Sequence, residues 1–343
     1  MRRAAPVLVA ATAVVGLASC GVVDDLAAGG GAPDALPVAD APLELDSLPY
    51  VVGNTLHADG REIDLGGRVT QFVVGPRGVY ADTDEGTVFT DLETVTPLNV
   101  DVSLSPLVLG PEGETLALVD FSSRVASAAV YDLETGDLLN ASTRGMGDPV
   151  TDDLGDLYEE TWARPLGFTA DAVVVEPATG PALYLPLDGG AATEVPAEDL
   201  TESWADSTIV DGLLPSAGQG YDSFDVDPAT LPPVLVRRHG ELSPDRTAAL
   251  VDAENHSWRP IDVASGTALD VDLPDGADRF VVATWTDEHT VVGGAALGRG
   301  SSARLRGQQR LVSCVLEPGG RCTDLGRTVS GLASWPGRPS TWG

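Results

Sequence analysis

Two short turn signatures alternate along this chain, seven of each, and that alternation restricts the fold to one assembled from repeated units. The first is an apolar residue followed by a turn. It stands at Val74-Gly75-Pro76-Arg77-Gly78, Leu109-Gly110-Pro111-Glu112-Gly113, Phe168-Thr169-Ala170-Asp171, Trp204-Ala205-Asp206, Leu242-Ser243-Pro244-Asp245-Arg246, Trp285-Thr286-Asp287-Glu288 and Trp335-Pro336-Gly337. All but the last precede a short aliphatic, β-branched run such as Gly78-Val79-Tyr80-Ala81, Ala172-Val173-Val174-Val175 or Thr290-Val291-Val292, which reads as a strand. The second signature is a polar turn closing the next strand. It stands at Ile63-Asp64-Leu65-Gly66-Gly67, Thr90-Asp91-Leu92-Glu93-Thr94, Tyr131-Asp132-Leu133-Glu134-Thr135-Gly136, Leu187-Asp188-Gly189-Gly190, Phe224-Asp225-Val226-Asp227-Pro228, Ile261-Asp262-Val263-Ala264-Ser265-Gly266 and Thr323-Asp324-Leu325-Gly326. Asp, Gly, Ser and Thr suit these places because short polar side chains bond the local backbone and, with Gly, tolerate turn dihedrals.

Residues 47–343 divided among seven units give about 42 residues each, the length of a four-stranded propeller blade. The expected fold is therefore all-β, a seven-bladed β-propeller, with six or eight blades as alternatives because residues 200–237 are poorly patterned. The turns resemble those of WD40-like propellers of the TolB type. Their Trp/Leu-Ser-Pro-Asp-Gly turn is matched most closely by Leu242-Ser243-Pro244-Asp245-Arg246, and the resemblance, degenerate throughout, extends over nearly all of residues 47–343. The segment Val329 to Trp335 has the first signature without the second, while Tyr50 to Gly67 has the second without the first. Joining two half-blades would close the ring and remove exposed sheet edges.

The N-terminus reads as an export signal. Arg2-Arg3 precedes an apolar run from Ala4 to Gly16, too short for a permanent span and suited to a cleaved signal segment. Leu17-Ala18-Ser19-Cys20 resembles the bacterial lipobox, in which the Cys thiol takes a diacylglycerol, palmitate being one of the expected acyl groups. The resemblance implies a signal peptide over 1–19, lipid attachment at Cys20 and anchorage at the outer face of the cytoplasmic membrane, two acyl chains holding where one would not. Ala, Gly, Pro and Asp dominate Gly21 to Asp46 without apolar period, so 20–46 is expected to be the lipidated Cys and a flexible tether, and 47–343 the propeller domain.

Charge excludes several functions. Fifty-two acidic residues face twenty basic ones, and a polyanion would meet a negative surface, so no nucleic-acid partner is expected. Every basic residue is Arg. The absence of Lys removes Schiff-base catalysis and the Walker lysine. After loss of residues 1–19 the charge is −34, which an anionic membrane repels, leaving attachment to the lipid. With Cys20 acylated, Cys314 and Cys322 form an even pair in an exported protein and are expected to be disulfide-linked. A hairpin loop centred on Pro318 would set them opposite each other; one centred on Gly319 would set them diagonally.

No catalytic constellation stands out: there is no Gly-x-Ser-x-Gly elbow, Cys-x-x-Cys, His-Glu-x-x-His or phosphate loop. No catalytic residue, metal ligand or cofactor is assigned. His57, His239, His256 and His289 read as surface residues, and Asp82-Thr83-Asp84-Glu85-Gly86 reads as a hairpin turn, since the closing Glu of a calcium loop is missing. Two insertions break the blade spacing. Thr143 to Thr161 is acidic, with Asp148, Asp152, Asp153, Asp156, Glu159 and Glu160; Gly293 to Arg310 carries Arg299, Arg304, Arg306 and Arg310. Arg forks grip carboxylate and phosphate, so the second could receive an anionic ligand or partner, although a solvated hairpin tip offsetting local acids explains it as well. The expected function is a non-catalytic binding or scaffold module for an envelope protein or glycan. The alternative is a lactonase, glycosidase or quinone-dependent enzyme with its site in a central funnel.

Overall fold

The computed structural model describes residues 31–147, 162–202, 208–210, 212–216, 221–222, 231–233, 235, 240–253, 257–297, 308–316, 320–330 and 333–337. Among these the chain is all-β, with one short 3-10 turn at Ala197–Asp199. In chain order, β1 (Tyr50–Val52), β2 (Thr55–Ala58) and β3 (Arg61–Asp64) lead to β4 (Val69–Gly75), β5 (Gly78–Thr83), β6 (Gly86–Thr90) and β7 (Val95–Pro97). Next come β8 (Val108–Leu109), β9 (Thr115–Asp120), β10 (Ser127–Asp132) and β11 (Leu138–Ser142), then β12 (Arg164–Phe168), β13 (Ala172–Glu176), β14 (Leu183–Pro186) and β15 (Thr193–Glu194). A pair, β16 (Leu200–Glu202) and β17 (Thr208–Val210), precedes β18 (Tyr221–Asp222), β19 (Gly240–Leu242), β20 (Ala248–Ala253) and β21 (Ser257–Asp262). The last strands are β22 (Ala277–Trp285), β23 (Thr290–Leu297), β24 (Gln308–Val315), β25 (Cys322–Ser330) and β26 (Ala333–Ser334).

These strands form antiparallel meanders: β4–β7, β8–β11 and β12–β15 are each four-stranded, and β18–β25 form one eight-stranded sheet. The remaining four-stranded sheet has the order β26-β1-β2-β3, joining the two ends of the chain. Four-stranded meanders in series, closed through the termini, are the architecture of a β-propeller. Closure runs through Val51 opposite Ser334 and Val52 opposite Ala333. The closing strand, Ala333–Ser334, is shorter than the Val329 to Trp335 half-blade expected from sequence. Val329 and Ser330 end β25 instead, opposite Gln309 and Gln308, because the long β24 keeps them in its own ladder.

The first signature joins the first and second strands of its unit at β4–β5, β8–β9, β12–β13, β19–β20 and β22–β23, and follows β26 at Trp335-Pro336-Gly337. The second joins β6 to β7, β10 to β11 and β14 to β15, and follows β21. Two cases depart from this. Ile63 to Gly67 follows β3 and leads to the next sheet. Thr323 to Gly326 lies inside β25, where Gly326 at φ 71° and a register shift opposite Arg310 and Val312 make a bulge and not a turn. The turn at 224–228 lies outside the described residues.

The interior strands are buried on both faces, which explains their continuous apolar runs. All six residues of β5 are buried. Val79 and Ala81 pack with Val51, Leu56 and Phe72, while Tyr80 packs with Phe89 of its own sheet and with Leu116, Leu118 and Tyr131 of the next. The period of two along one strand thus feeds two cores, one on each side of the blade. Each such aliphatic or aromatic side chain contributes roughly 1.5–3 kcal/mol by leaving water. At the closure, Tyr50, Val292, Leu311, Ala333 and Trp335 form a further cluster.

Residues 31–46 correct the expected tether. Ala32 and Leu36 are buried in the core that Val73, Tyr80, Leu116 and Tyr131 share, and Leu43 and Leu45 pack against the core around Phe72. Backbone bonds hold them: Leu36 N–H donates to Gly136 O, Ala39 N–H to Arg77 O, and Leu43 N–H to Pro76 O. An Ala/Pro/Asp-rich segment lacks periodicity because it contributes isolated apolar residues to a surface made by others.

Candidate binding surface

The two insertions are rooted at the same end of the propeller. In an antiparallel meander, the first-to-second and third-to-fourth turns lie at one end; the second-to-third turn and the link to the next unit lie at the other. Arg77 in the β4–β5 turn pairs with Glu134 in the β10–β11 turn at 3.0 Å, so both turns share an end. The β11–β12 link, holding the acidic insertion, and the β23–β24 turn, holding the Arg-rich one, are rooted at the opposite end.

The structure narrows both segments. Thr143 to Gly147 form a turn with Met146 buried and Arg144 paired to Glu194; Asp148, Asp152, Asp153, Asp156, Glu159 and Glu160 lie outside the described residues. On the other side, β23 continues to Leu297 and β24 begins at Gln308, so the insertion is 298–307 and not 293–310. Arg310 is therefore not a loop residue. It sits in β24 opposite Ala295, its Nε 3.4 Å from Asp324 Oδ2 on β25. Arg299, Arg304 and Arg306 lie outside the described residues, as do Cys20, His239 and His256.

At the other end of β24, beside its turn to β25, Cys314 and Cys322 are disulfide-bonded and directly opposed in the β24–β25 ladder, as a loop centred on Pro318 requires. The disulfide ties β25 to β24 and leaves no free thiol there.

Several of the described aspartates serve as turn acceptors. Asp91 Oδ1 accepts from Glu93 N–H at 2.9 Å and Thr94 N–H at 2.7 Å; Asp132 accepts from Glu134 N–H at 2.7 Å and Thr135 N–H at 2.9 Å; Asp287 accepts from His289 N–H at 2.9 Å and Thr290 N–H at 2.8 Å. The bonds from Thr94 and Glu93 hold the Asp91 carboxyl below the ordinary aspartate value, and the Ser265 hydroxyl and N–H do the same for Asp262. Asp82 is the contrasting case. It is buried, accepts from the Thr70 hydroxyl at 2.5 Å, and burial pushes its carboxyl above the ordinary value, with Asp101 adding to the effect. The Asp82–Gly86 segment is the β5–β6 hairpin turn expected from sequence, with Asp84 accepting from Arg68 N–H at 2.7 Å.

Sequence reasoning missed an aromatic cluster at the closure. Tyr50 stacks on His57 at 4.6 Å and tilts against Trp335 at 5.9 Å, and Arg327 donates to the Tyr50 hydroxyl at 3.0 Å from β25. His57, read as a surface residue, is half-buried, because it stands opposite Tyr50 in the β1–β2 ladder and the Tyr50 ring lies over it. Desolvation holds its imidazole below the ordinary histidine value, Glu62 opposing and Arg327 reinforcing the effect. His289 is exposed, as expected. An open depression of about 550 Å³ lies beside the β12–β13 turn, lined by Thr169, Asp171, Tyr184, Pro186, Thr193 and Gly212 among others. Among the described residues no group of three His, Cys, Asp or Glu is placed to hold a metal ion, and no helix is long and apolar enough to cross a membrane.

No family profile and no curated protein matches the sequence. The chain is similar to solved structures of TolB from Acinetobacter baumannii (13% identity, 83% of this chain and 64% of that one, TM-score 0.34) and a TolB-like protein from Agrobacterium tumefaciens (9%, 86% and 94%, 0.37). It is also similar to BamB from Moraxella catarrhalis (13%, 76% and 88%, 0.34). The propeller assignment rests on strand order and ring closure, which stand without these likenesses.

Proposed function

We propose that this chain is an exported lipoprotein, anchored by lipid on Cys20 at the outer face of the cytoplasmic membrane, whose seven-bladed propeller is a non-catalytic binding or scaffold module for an envelope protein or glycan. The signal peptide is 1–19, and the seventh unit follows from reading the eight-stranded sheet as two blades and β16–β17 as part of another. The observation that carries the binding role is the rooting of both insertions at one end of a rigid scaffold, the usual placement of recognition loops. Two further features support it. The turn carboxylates are engaged with their own backbone, and the disulfide suits an oxidising compartment.

The Arg-rich segment 298–307 is the contact for an acidic partner. The test is recovery of partners from the native envelope with the lipidated protein and with an Arg304→Ser/Arg306→Ser variant. The expected result is weaker and less salt-sensitive recovery by the variant at unchanged melting temperature. Equal recovery at low and high salt would remove the segment from recognition. Cys20→Ala should release the protein from membranes; a variant that stays bound after a high-salt wash would remove the lipid anchor.

A further inference from the structure

Residues 32–43 form a strap across the end of the propeller opposite the insertions. Leu36 N–H donates to Gly136 O at 2.8 Å, Leu138 N–H donates to Asp34 O at 3.0 Å, and Ala35 opposes Asp137, so the strap adds to the approach to β11 like a short extra strand. Two buried tyrosines in adjacent sheets hold it from below. The Tyr131 hydroxyl donates to Pro33 O at 3.0 Å and the Tyr80 hydroxyl to Pro37 O at 2.7 Å. Arg77 clamps it from the side, one guanidinium nitrogen donating to Ala39 O and Asp40 O, both at 3.1 Å, while Nε pairs with Glu134. The fit leaves no slack at Gly136: its φ is +83°, and a Cβ there would lie 2.2 Å from Leu36 O.

We propose that the strap decides which end of the propeller faces the membrane: the end bearing the β4–β5 and β10–β11 turns lies toward the bilayer, and the end rooting 148–161 and 298–307 points away, toward the partner. This rests on the lipid attachment at Cys20 put forward above.

Lengths decide it. From Cys20 to Ala32 the chain has twelve residue steps, which reach about 40 Å when fully extended and about 20 Å as a coil. A domain of this size has a radius of gyration of about 19 Å and hence a diameter of about 50 Å. Only a nearly fully extended link would let the far end touch the surface; at its coil length of about 20 Å a chain fixed at the strap keeps the strap end nearest the bilayer. Were residues 32–49 free, the link would run thirty steps to Tyr50, about 100 Å extended, and either end could meet the bilayer. The mature charge of −34 offers no competing electrostatic attachment to anionic lipid.

The test uses the lipidated protein on phosphatidylcholine–phosphatidylglycerol vesicles containing a headgroup quencher. A fluorophore is placed on Glu112→Cys, in the exposed β8–β9 turn at the strap end, or on Glu85→Cys, in the exposed β5–β6 turn at the far end. The expected result is quenching at position 112 several-fold stronger than at 85. Gly136→Ala, which displaces the strap, should shrink that difference and open residues 31–46 to protease. If Gly136→Ala does not fold, the Tyr80→Phe/Tyr131→Phe variant should do the same. Equal quenching, or stronger quenching at 85, in protein that floats with the vesicles overturns the orientation alone. Protein that does not float, or a Cys20→Ala form that floats equally well, overturns the lipid reading and the orientation with it.

Discussion

From Val69 to Glu194 three four-stranded sheets stand apart, whereas from Tyr221 to Ser330 eight strands run on in one sheet. Both regions carry the same turn chemistry: Asp91 and Asp132 in the first, and Asp262 and Asp287 in the second, accept from the N–H groups two or three residues on. Turn chemistry therefore makes hairpins in both and cannot be what separates the sheets. The fourth strand does that. In the first region β7, β11 and β15 complete each unit and end its ladder. In the second, the segment after β21 makes the single bridge Ile261–Ala268, through Asp262 N–H to Thr267 O and Leu269 N–H to Pro260 O, and forms no strand. Leu269, Val271 and Leu273 pack on the core around Phe280, but Leu273 N–H turns back to Val271 O and Pro274 has no donor. β21 is left with an open stretch of edge, and Trp258 opposite Phe280 joins it to the next unit.

The largest expected effect comes from breaking the other unusual junction, the closure. Deleting residues 333–343 removes β26 and the buried Trp335 and bares the edge of β1, so the protein should aggregate and lose its cooperative melt; a truncated form that melts like the full chain would show that closure contributes nothing. Next is the junction inside the eight-stranded sheet. Phe280→Ala should cost about 3–5 kcal/mol and reduce amide-exchange protection in β19–β21 and β22–β24 together. Phe168→Ala should cost a similar amount but lower protection only in the two sheets whose core it shares. Equal spread of the two effects would erase the distinction between the regions.

A smaller effect belongs to the disulfide in β24–β25. Replacing both Cys314 and Cys322 by Ser should lower stability by roughly 2–3 kcal/mol, measured by thermal melting. No change would mean the ladder holds without the staple. The smallest effect lies in the separated region. Because burial raises the Asp82 carboxyl in the folded state, stability attributable to it is full below the ordinary aspartate value and lost as pH rises through the raised one. Asp82→Asn keeps an acceptor for Thr70, removes the buried charge, and should raise the melting temperature by a few degrees at pH 7 but not at pH 3. An equal shift at both pH values would assign the gain to packing.

By itself the sequence determined the all-β character, most of the hairpin turns and the pairing of the two cysteines, because each rests on residues within about ten positions of one another. Asp-Gly turns bond their own backbone, whereas the choice between a loop centred on Pro318 and one on Gly319 fell to the β24–β25 ladder. Only the tertiary structure decided the rest. The strap at 32–43 binds Tyr80 and Tyr131, and Tyr131 lies 98 residues beyond its acceptor Pro33. Arg310 looked like a loop cation until β24 and β25 set it beside Asp324, and Tyr50 meets Trp335 only because the two ends of the chain join. Whether two sheets separate or merge depended on how many ladder bonds residues 267–273 make with β21. Their alternating apolar pattern is shared by strands that do and do not complete a sheet, and only the competing edge of β22 shows which partner takes the open bonds.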